Sequence, residues 1–269
     1  MINNTKLKFP WVLVLLFVGL ALAVMLLSNA PYIWTGWSGA LCGSSGCSCE
    51  PARQALIVTP LNTITNLAYI LVGMLILSTA RSNTEPSAGL MRRQAGYARL
   101  MGVAFIALGL GSGFFHASWT LIGQWLDSLG MYLITAFMLL FALIRLRPFS
   151  GKLFGVLYAV LCAMLGALWF AAPDARRTIF MVVLIAALLL EFSLLIMRRP
   201  SIQIKLLLAG LALFIFSDRL RAWDMQDWIC RPESWLQPHA IYHLLSAGAL
   251  GLLYLYYQSE RLATQRIDD

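Results

Sequence analysis

The sequence predicts an all-α polytopic membrane protein, a helical bundle of seven core transmembrane helices preceded by one extra N-terminal transmembrane helix. Of its 269 residues, 60% are hydrophobic and only 12% are charged, whereas about 25% of the residues of a soluble domain are charged. The mean hydropathy is +0.76, and several uncharged runs are long enough to cross a hydrocarbon core of about 30 Å as a helix. These observations exclude a soluble enzyme.

Eight apolar stretches predict the helices in chain order. They run approximately over residues 11–28, 61–80, 100–118, 121–144, 153–171, 178–197, 204–216 and 239–258. The seventh is the shortest, and it can span only if Ser217, Asp218 and Arg219 lie near the interface or face protein. We therefore predict an anchor helix (1–30), an outer loop segment (31–60), a seven-helix core (61–258) and a cytoplasmic tail (259–269).

The first apolar stretch has two interpretations. It follows Lys6 and Lys8 and precedes Ser28-Asn29-Ala30, which is also compatible with a cleaved signal peptide. Its apolar run is longer than the 7–15 residues of a signal peptide's hydrophobic region, and Pro31 would directly follow the cut. We therefore interpret this stretch as a retained anchor.

The distribution of basic residues predicts the orientation. If the N-terminus is cytoplasmic, 14 of the 20 Lys and Arg residues lie in inside segments and 6 in outside segments. By the positive-inside rule, this asymmetry places both termini in the cytoplasm. The net charge of +8 therefore reflects orientation, and we predict no nucleic-acid partner. The oligomeric state is left open.

Four of the five cysteines fall in predicted outside segments, where an oxidising compartment permits disulfides. They are Cys42, Cys47, Cys49 and Cys230. Four such cysteines predict two bridges, although Cys47-x-Cys49 taken alone could be a fragment of a metal site. Cys162 lies inside an apolar stretch and is interpreted as a small packing residue.

The three histidines of the chain lie near the outer ends of predicted helices. His239 and His243 are four residues apart, which puts both imidazoles on one helix face, and His116 offers a third from another helix. Three neutral imidazoles around one open position are typical of a catalytic zinc. A single membrane histidine is more often a buried hydrogen-bonding partner, and haem fits poorly because two of the imidazoles share a face.

Two further polar residues are predicted to lie at the same depth in the membrane as the histidines. Asp127 follows His116 by eleven residues across a short connection, so it returns to the same membrane face. An ionisable group there costs several kcal/mol without a partner. Ser112 lies one helical turn before His116, although a serine hydroxyl in a helix also bonds back to its own backbone.

Together these motifs resemble the alkaline ceramidase family, within the membrane-hydrolase superfamily that includes the progestin and adipoQ receptors. The resemblance covers residues 49 to 257 and rests on an ordered set of motifs: Cys49-Glu50, the LNTITN segment 61–66, Ser112-x3-His116, Asp127, Cys230 and the HxxxH pair in PHAIYHLLSA. It implies a seven-helix bundle with zinc held by His116, His239 and His243. It also implies that Ser112 bonds the developing oxyanion and that Asp127 transfers a proton.

The resemblance has two more consequences. It implies that Cys49 pairs with Cys230, with Cys42 to Cys47 as the companion bridge. It also shows a departure, because the family's calcium-binding positions are here Cys47, Ala52 and Thr59, and only Glu50 is kept. One carboxylate is too few for a calcium site of six to eight oxygen ligands, so we expect activity to be independent of calcium.

The predicted function is zinc-dependent hydrolysis of ceramide or a similar N-acyl lipid to a fatty acid and a long-chain amine. The lipid would enter from the bilayer, and the active site would face the periplasmic or lumenal side, with a bacterial plasma membrane favoured. The alternative is a lipid-sensing seven-helix receptor with a structural zinc, which would tolerate loss of the Asp127 charge. A transporter is disfavoured because the ionisable groups of the core cluster towards one face.

Overall fold

The computed structural model describes residues 11–42, 47–226 and 228–262 and consists of helices joined by loops, the longest of which runs between α1 and α2. Most of the predicted tail, the first ten residues and Asp227 lie outside the described residues. The helices, numbered in chain order, are α1 (Trp11–Leu27), α2 (Pro60–Thr65), α3 (Leu67–Thr79), α4 (Leu90–Arg93), α5 (Ala95–Ser118), α6 (Leu121–Leu146), α7 (Gly151–Ala171), α8 (Arg176–Arg198), α9 (Ile204–Met225) and α10 (Pro238–Gln258).

The predicted class, an all-α polytopic membrane bundle, is confirmed. Six helical segments of the described residues are long and apolar enough to cross a membrane: Pro60–Thr79, Ala95–Ser118, Leu121–Leu146, Gly151–Ala171, Pro173–Arg198 and Pro238–Gln258. Helix α6 lies at the centre and packs against α5, α7 and α8, while α9 packs against α10. Helices α1 and α9 fall outside this set, so the count of seven plus one stays a prediction.

Helix α9 extends well beyond its apolar run. The run predicted a helix over 204–216, whereas the helix continues to Met225 through four charged residues. Ser217 is fully buried and donates its hydroxyl to the Phe214 carbonyl oxygen at 2.8 Å. Asp218 forms an ion pair with Arg177 of α8. Pairing across helices therefore permits charged residues where hydropathy alone ends the segment.

Two glycines bring α5 close to its neighbours. A Cβ on Gly111 would lie 2.6 Å from the carbonyl oxygen of Leu126 on α6, and one on Gly109 would lie 2.9 Å from that of Asn66. Any larger residue would push these backbones apart. The close crossings place the last turns of α5 directly against the start of α6 and the junction of α2 and α3.

A buried ionic network joins three helices at the end of the bundle away from the disulfides. Arg145 of α6 binds both carboxylate oxygens of Glu191 on α8, at 2.7 and 2.8 Å, and Oε1 of Glu260 at 2.8 Å. Tyr256 of α10 donates to Glu191 as well. The three charged side chains are at most 5% exposed. Such a network is costly to break, because each remaining charge would be buried without a partner.

Both predicted disulfides are present. Cys42 is bonded to Cys47, and Cys49 is bonded to Cys230. They lie together at one end of the bundle, which we call the disulfide end. Cys162 is a buried free thiol in α7, as its apolar surroundings predict.

The two disulfides should differ in their effect on stability. The Cys49–Cys230 bond closes a loop with a sequence separation of 181, whereas Cys42–Cys47 spans only 5. On the loop-entropy model we expect the double change Cys49→Ala/Cys230→Ala to lower the free energy of unfolding by up to about 5 kcal/mol, and Cys42→Ala/Cys47→Ala by about 2 kcal/mol. Denaturant unfolding in detergent measures both. Equal losses would show that loop length does not govern the effect here.

Candidate metal centre and active site

Three buried imidazoles meet at the disulfide end. The ring centroids of His116, His239 and His243 are 5.0, 4.9 and 4.9 Å apart, in an almost equilateral triangle. One ring nitrogen from each lies within 4.8 Å of the others. All three residues are buried, and none is more than 8% exposed. The geometry could hold a single metal ion.

Local sequence explains why these rings reach the same point. Helix α5 ends two residues after His116, where Trp119 takes a left-handed conformation with φ 48°. Helix α10 begins at Pro238, so His239 and His243 occupy its first two turns. The buried Gln237 amide donates to the carbonyl oxygens of Arg231, Pro232 and Ser234, which fixes the loop before α10.

Nδ1 of His243 has two polar neighbours. The Thr65 hydroxyl lies 3.1 Å from it and Nδ2 of Asn66 lies 3.3 Å from it. The same hydroxyl also lies 2.9 Å from the Leu61 carbonyl oxygen. These contacts orient the ring, and ring orientation by such neighbours is typical of metal-ligating histidines.

His239 has an acidic neighbour. Oδ2 of Asp224 lies 3.6 Å from Nδ1 of His239, and the same oxygen accepts a hydrogen bond from the Cys49 N–H at 3.2 Å. The Asp224 side chain is completely buried. Nδ1 of His239, Nδ1 of His116 and Oδ1 of Asp224 have no hydrogen-bond partner in the described part of the chain. A buried carboxylate beside an imidazole is a usual arrangement around a metal-ligating histidine, so this neighbour fits a group of three histidines that holds one ion.

Residues just before α2 hold the backbone of His116 in place. The carbonyl oxygen of His116 accepts bonds from the Thr59 hydroxyl at 2.7 Å and from the Thr59 N–H at 3.1 Å. Val58 N–H bonds the next carbonyl, that of Ala117, at 3.0 Å. Residues before the first core helix therefore fix the position at which α5 ends.

Ser112 and Asp127 share one cavity with the three histidines. The cavity has a volume of about 560 Å³. Ser112 is buried and Asp127 is partly buried, and a Cβ on Gly111, the residue before Ser112, would lie 3.4 Å from the backbone nitrogen of Asp127. All five predicted site residues are thus brought together, although their roles remain a prediction. Asp224 and Thr65 were given no role in the sequence analysis.

The rest of the cavity is divided by polarity. Apolar side chains of α8, α9 and α10 line one part, among them Leu184, Leu188, Leu211, Phe214 and Leu253. Arginines line another part at the disulfide end. An elongated molecule with an apolar chain and a polar group therefore suits this space.

Glu50 acts as a helix cap. Its two carboxylate oxygens accept hydrogen bonds from the N–H groups of Leu61 and Asn62, at 2.7 and 2.8 Å, in the first turn of α2. Burial raises the pKa of the Glu50 carboxyl, and these two bonds act in the opposite direction. The sulfur of Cys47, the other residue of this segment that the sequence analysis considered for calcium, is in a disulfide. Both residues already have structural partners.

Comparison with known proteins agrees with the arrangement. A family model described as Ceramidase matches residues 51–268. The match confirms the resemblance found from the motifs. No significant match was found among curated protein sequences.

Asp224 should strengthen metal binding by orienting His239. We expect Asp224→Asn to weaken zinc affinity about 10- to 100-fold, the usual cost of losing a partner of a ligand, while the amide still accepts the Cys49 N–H. Competition with a chromophoric chelator measures the affinity. Glu233→Gln removes the same charge from an exposed position in the loop that follows α9 and serves as the control. Unchanged affinity in Asp224→Asn would show that the carboxylate does not support the ligand.

Calcium should not bind at the position of Glu50. Its oxygens already accept two backbone N–H bonds, and it is the only acidic residue between positions 42 and 66. We expect millimolar calcium to leave the melting temperature of the protein unchanged, and isothermal calorimetry to show no binding at micromolar concentrations. A calcium-dependent rise in melting temperature that Glu50→Gln removes would contradict this expectation.

Proposed function

Because the chain belongs to the ceramidase family, we propose that it is a zinc-dependent membrane amidase. It hydrolyses ceramide or a similar N-acyl lipid to a fatty acid and a long-chain amine. The observation that carries this proposal is the group of three buried imidazoles in a cavity that also holds Ser112 and Asp127 and is otherwise largely apolar.

The proposed zinc ligands are His116, His239 and His243. Each is buried and offers one ring nitrogen, and the three nitrogens lie close enough to serve one ion. A zinc ion with three histidine ligands keeps an open position and, when bound, supplies Lewis-acid activation of water and of the substrate carbonyl. Thr65 and Asp224 orient two of the three rings from the opposite side.

The proposed proton carrier is Asp127. It is one of two carboxylates that line the cavity, the other being Asp174, and the close crossing of α5 and α6 places it next to the turn of α5 that carries Ser112. As a general base it accepts a proton from the attacking water and then gives it to the leaving amine. Ser112 donates a hydrogen bond to the oxyanion that develops on the substrate carbonyl.

The proposed substrate arrives from the bilayer. Its acyl chain lies along the leucines and phenylalanine that α8, α9 and α10 present to the cavity. Residues 61–258 form the hydrolase core, with an anchor helix and an outer segment before it and a cytoplasmic tail after it. The disulfide end faces the periplasm or lumen, where both bridges are stable.

Metal analysis together with a substrate panel tests the proposal. We expect purified protein to carry about one zinc per chain, and His239→Ala or His243→Ala to lose it, because two imidazoles hold zinc weakly. Incubation with ceramides and other N-acyl lipids, followed by mass spectrometry of free fatty acid, should detect turnover. Full zinc occupancy in both histidine variants would disprove the assignment of the ligands.

Asp127→Asn separates a hydrolase from a receptor. We expect this variant to keep its zinc but to lose about 10²- to 10⁴-fold in rate, because an amide cannot accept the proton. Ser112→Ala should lose less. Glu233→Gln, which removes an exposed carboxylate, is the control for the loss of charge. If Asp127→Asn hydrolysed substrate at the native rate, a lipid-sensing receptor with a structural zinc would become the better interpretation.

A further inference from the structure

Arginines are concentrated at the disulfide end of the cavity, on the predicted outer side of the membrane, where basic residues are least expected. Six basic residues are predicted to face that side: Arg53, Arg176, Arg177, Arg219, Arg221 and Arg231. Cations are disfavoured there by the positive-inside rule. Four of the six nevertheless converge where α8 begins and α9 ends.

Three of these arginines share a single carboxylate. Arg177 of α8 pairs with Asp218, Arg219 Nη2 lies 3.1 Å from its Oδ2, and Arg221 Nε lies 3.2 Å from its Oδ1. Asp218 can neutralise only one of the three charges. The structure alone therefore leaves an excess of positive charge at this point.

Arg176 adds a further charge that no described carboxylate pairs with. Its Nη1 donates to the Pro173 carbonyl oxygen at 2.9 Å, which leaves the rest of the guanidinium available. With Asp174 and with Asp127, which lines the same cavity, the described group comprises four guanidiniums and three carboxylates, a net charge of +1. Arg176, Arg177 and Arg221 all line the same cavity as Asp127 and the histidines.

The position of this group determines which part of a lipid it meets. In the proposed function, on which this inference rests, the amide lies at the histidines and Asp127, and the acyl chain lies among the apolar side chains. The amine part of the lipid then points towards the arginines. A guanidinium binds carboxylates and phosphates through parallel hydrogen bonds, and it gains far less from an uncharged alcohol.

We propose that Arg176 and Arg221 recognise an anionic group on the amine part of the substrate. The preferred substrate class is therefore an N-acyl lipid that carries a carboxylate or phosphate close to its amide. The arginines select this class over lipids with an uncharged alcohol, and Arg177 and Arg219 share Asp218 beside them.

Matched pairs of lipids test the selection. N-palmitoylglycine and N-palmitoylethanolamine differ only in carboxylate against alcohol, and N-palmitoyl-γ-aminobutyrate and N-palmitoyl-4-aminobutanol repeat the comparison with a longer spacer. In an uncharged detergent without phospholipid, we expect kcat/KM to be at least about 10-fold higher for the acid in at least one pair, the effect of a charge-assisted hydrogen bond. Equal values in both pairs would overturn the inference.

Arginine variants test the residues. We expect Arg176→Gln/Arg221→Gln to reduce the acid-to-alcohol ratio of kcat/KM to between about 1 and 3. Arg231→Gln changes an exposed arginine that does not line the cavity, so it should keep the native ratio. If the double variant still prefers the acid, groups other than Arg176 and Arg221 bind the anionic group, and the inference is wrong.

Two further measurements distinguish selection of an anionic substrate from binding of membrane headgroups and from a lack of hydrolysis. If the arginines instead bind headgroups of the surrounding membrane, phosphatidylglycerol vesicles will raise the turnover of acid and alcohol equally, and the detergent assay will show no preference, which overturns the inference. Palmitoyl ceramide tests hydrolysis itself. If no lipid is hydrolysed, the proposed function fails, and calorimetric binding of each acid against its alcohol still decides whether the arginines select an anion.

Discussion

The burial of three imidazoles around one point is the constraint on which the rest of the structure depends. Polar rings at membrane depth are costly unless each nitrogen has a partner. Thr65 supplies one partner to His243, and Asp224 faces His239. A metal ion would satisfy the nitrogens that face inwards. The surrounding segments are arranged so that these partners reach the rings.

The loops at the disulfide end therefore form part of the site rather than mere connections. Cys49 is bonded to Cys230 and gives its N–H to Asp224. Glu50, the next residue, caps the helix that carries Thr65. Thr59 bonds the backbone of His116. A short stretch before the first core helix thus contacts the surroundings of all three histidines, so the predicted boundary at residue 60 separates parts that work together.

Local pattern predicts the helices and the cluster of histidines well, because hydropathy and an i, i+4 spacing are properties of one segment. Features that depend on two segments are harder to predict. Helix α9 extends past its apolar run because Asp218 pairs with Arg177 of another helix. Asp224 lacked a recognisable signal because its partner His239 lies across a loop. The disulfide pairing required the resemblance to a family, since spacing alone left the connectivity open.

The residues of the site lie far apart in the sequence, so the site can be assembled only in a certain order. His116 is on the second long core helix, whereas His239, His243 and Cys230 belong to the last part of the chain. The long-range disulfide needs Cys230, and the full set of three imidazoles needs α10, so neither can be complete until the last part of the chain has been made. An ion that is held by all three histidines can therefore bind only at the end of folding. A chain that stops before α10 offers one imidazole of the three, too few to retain such an ion.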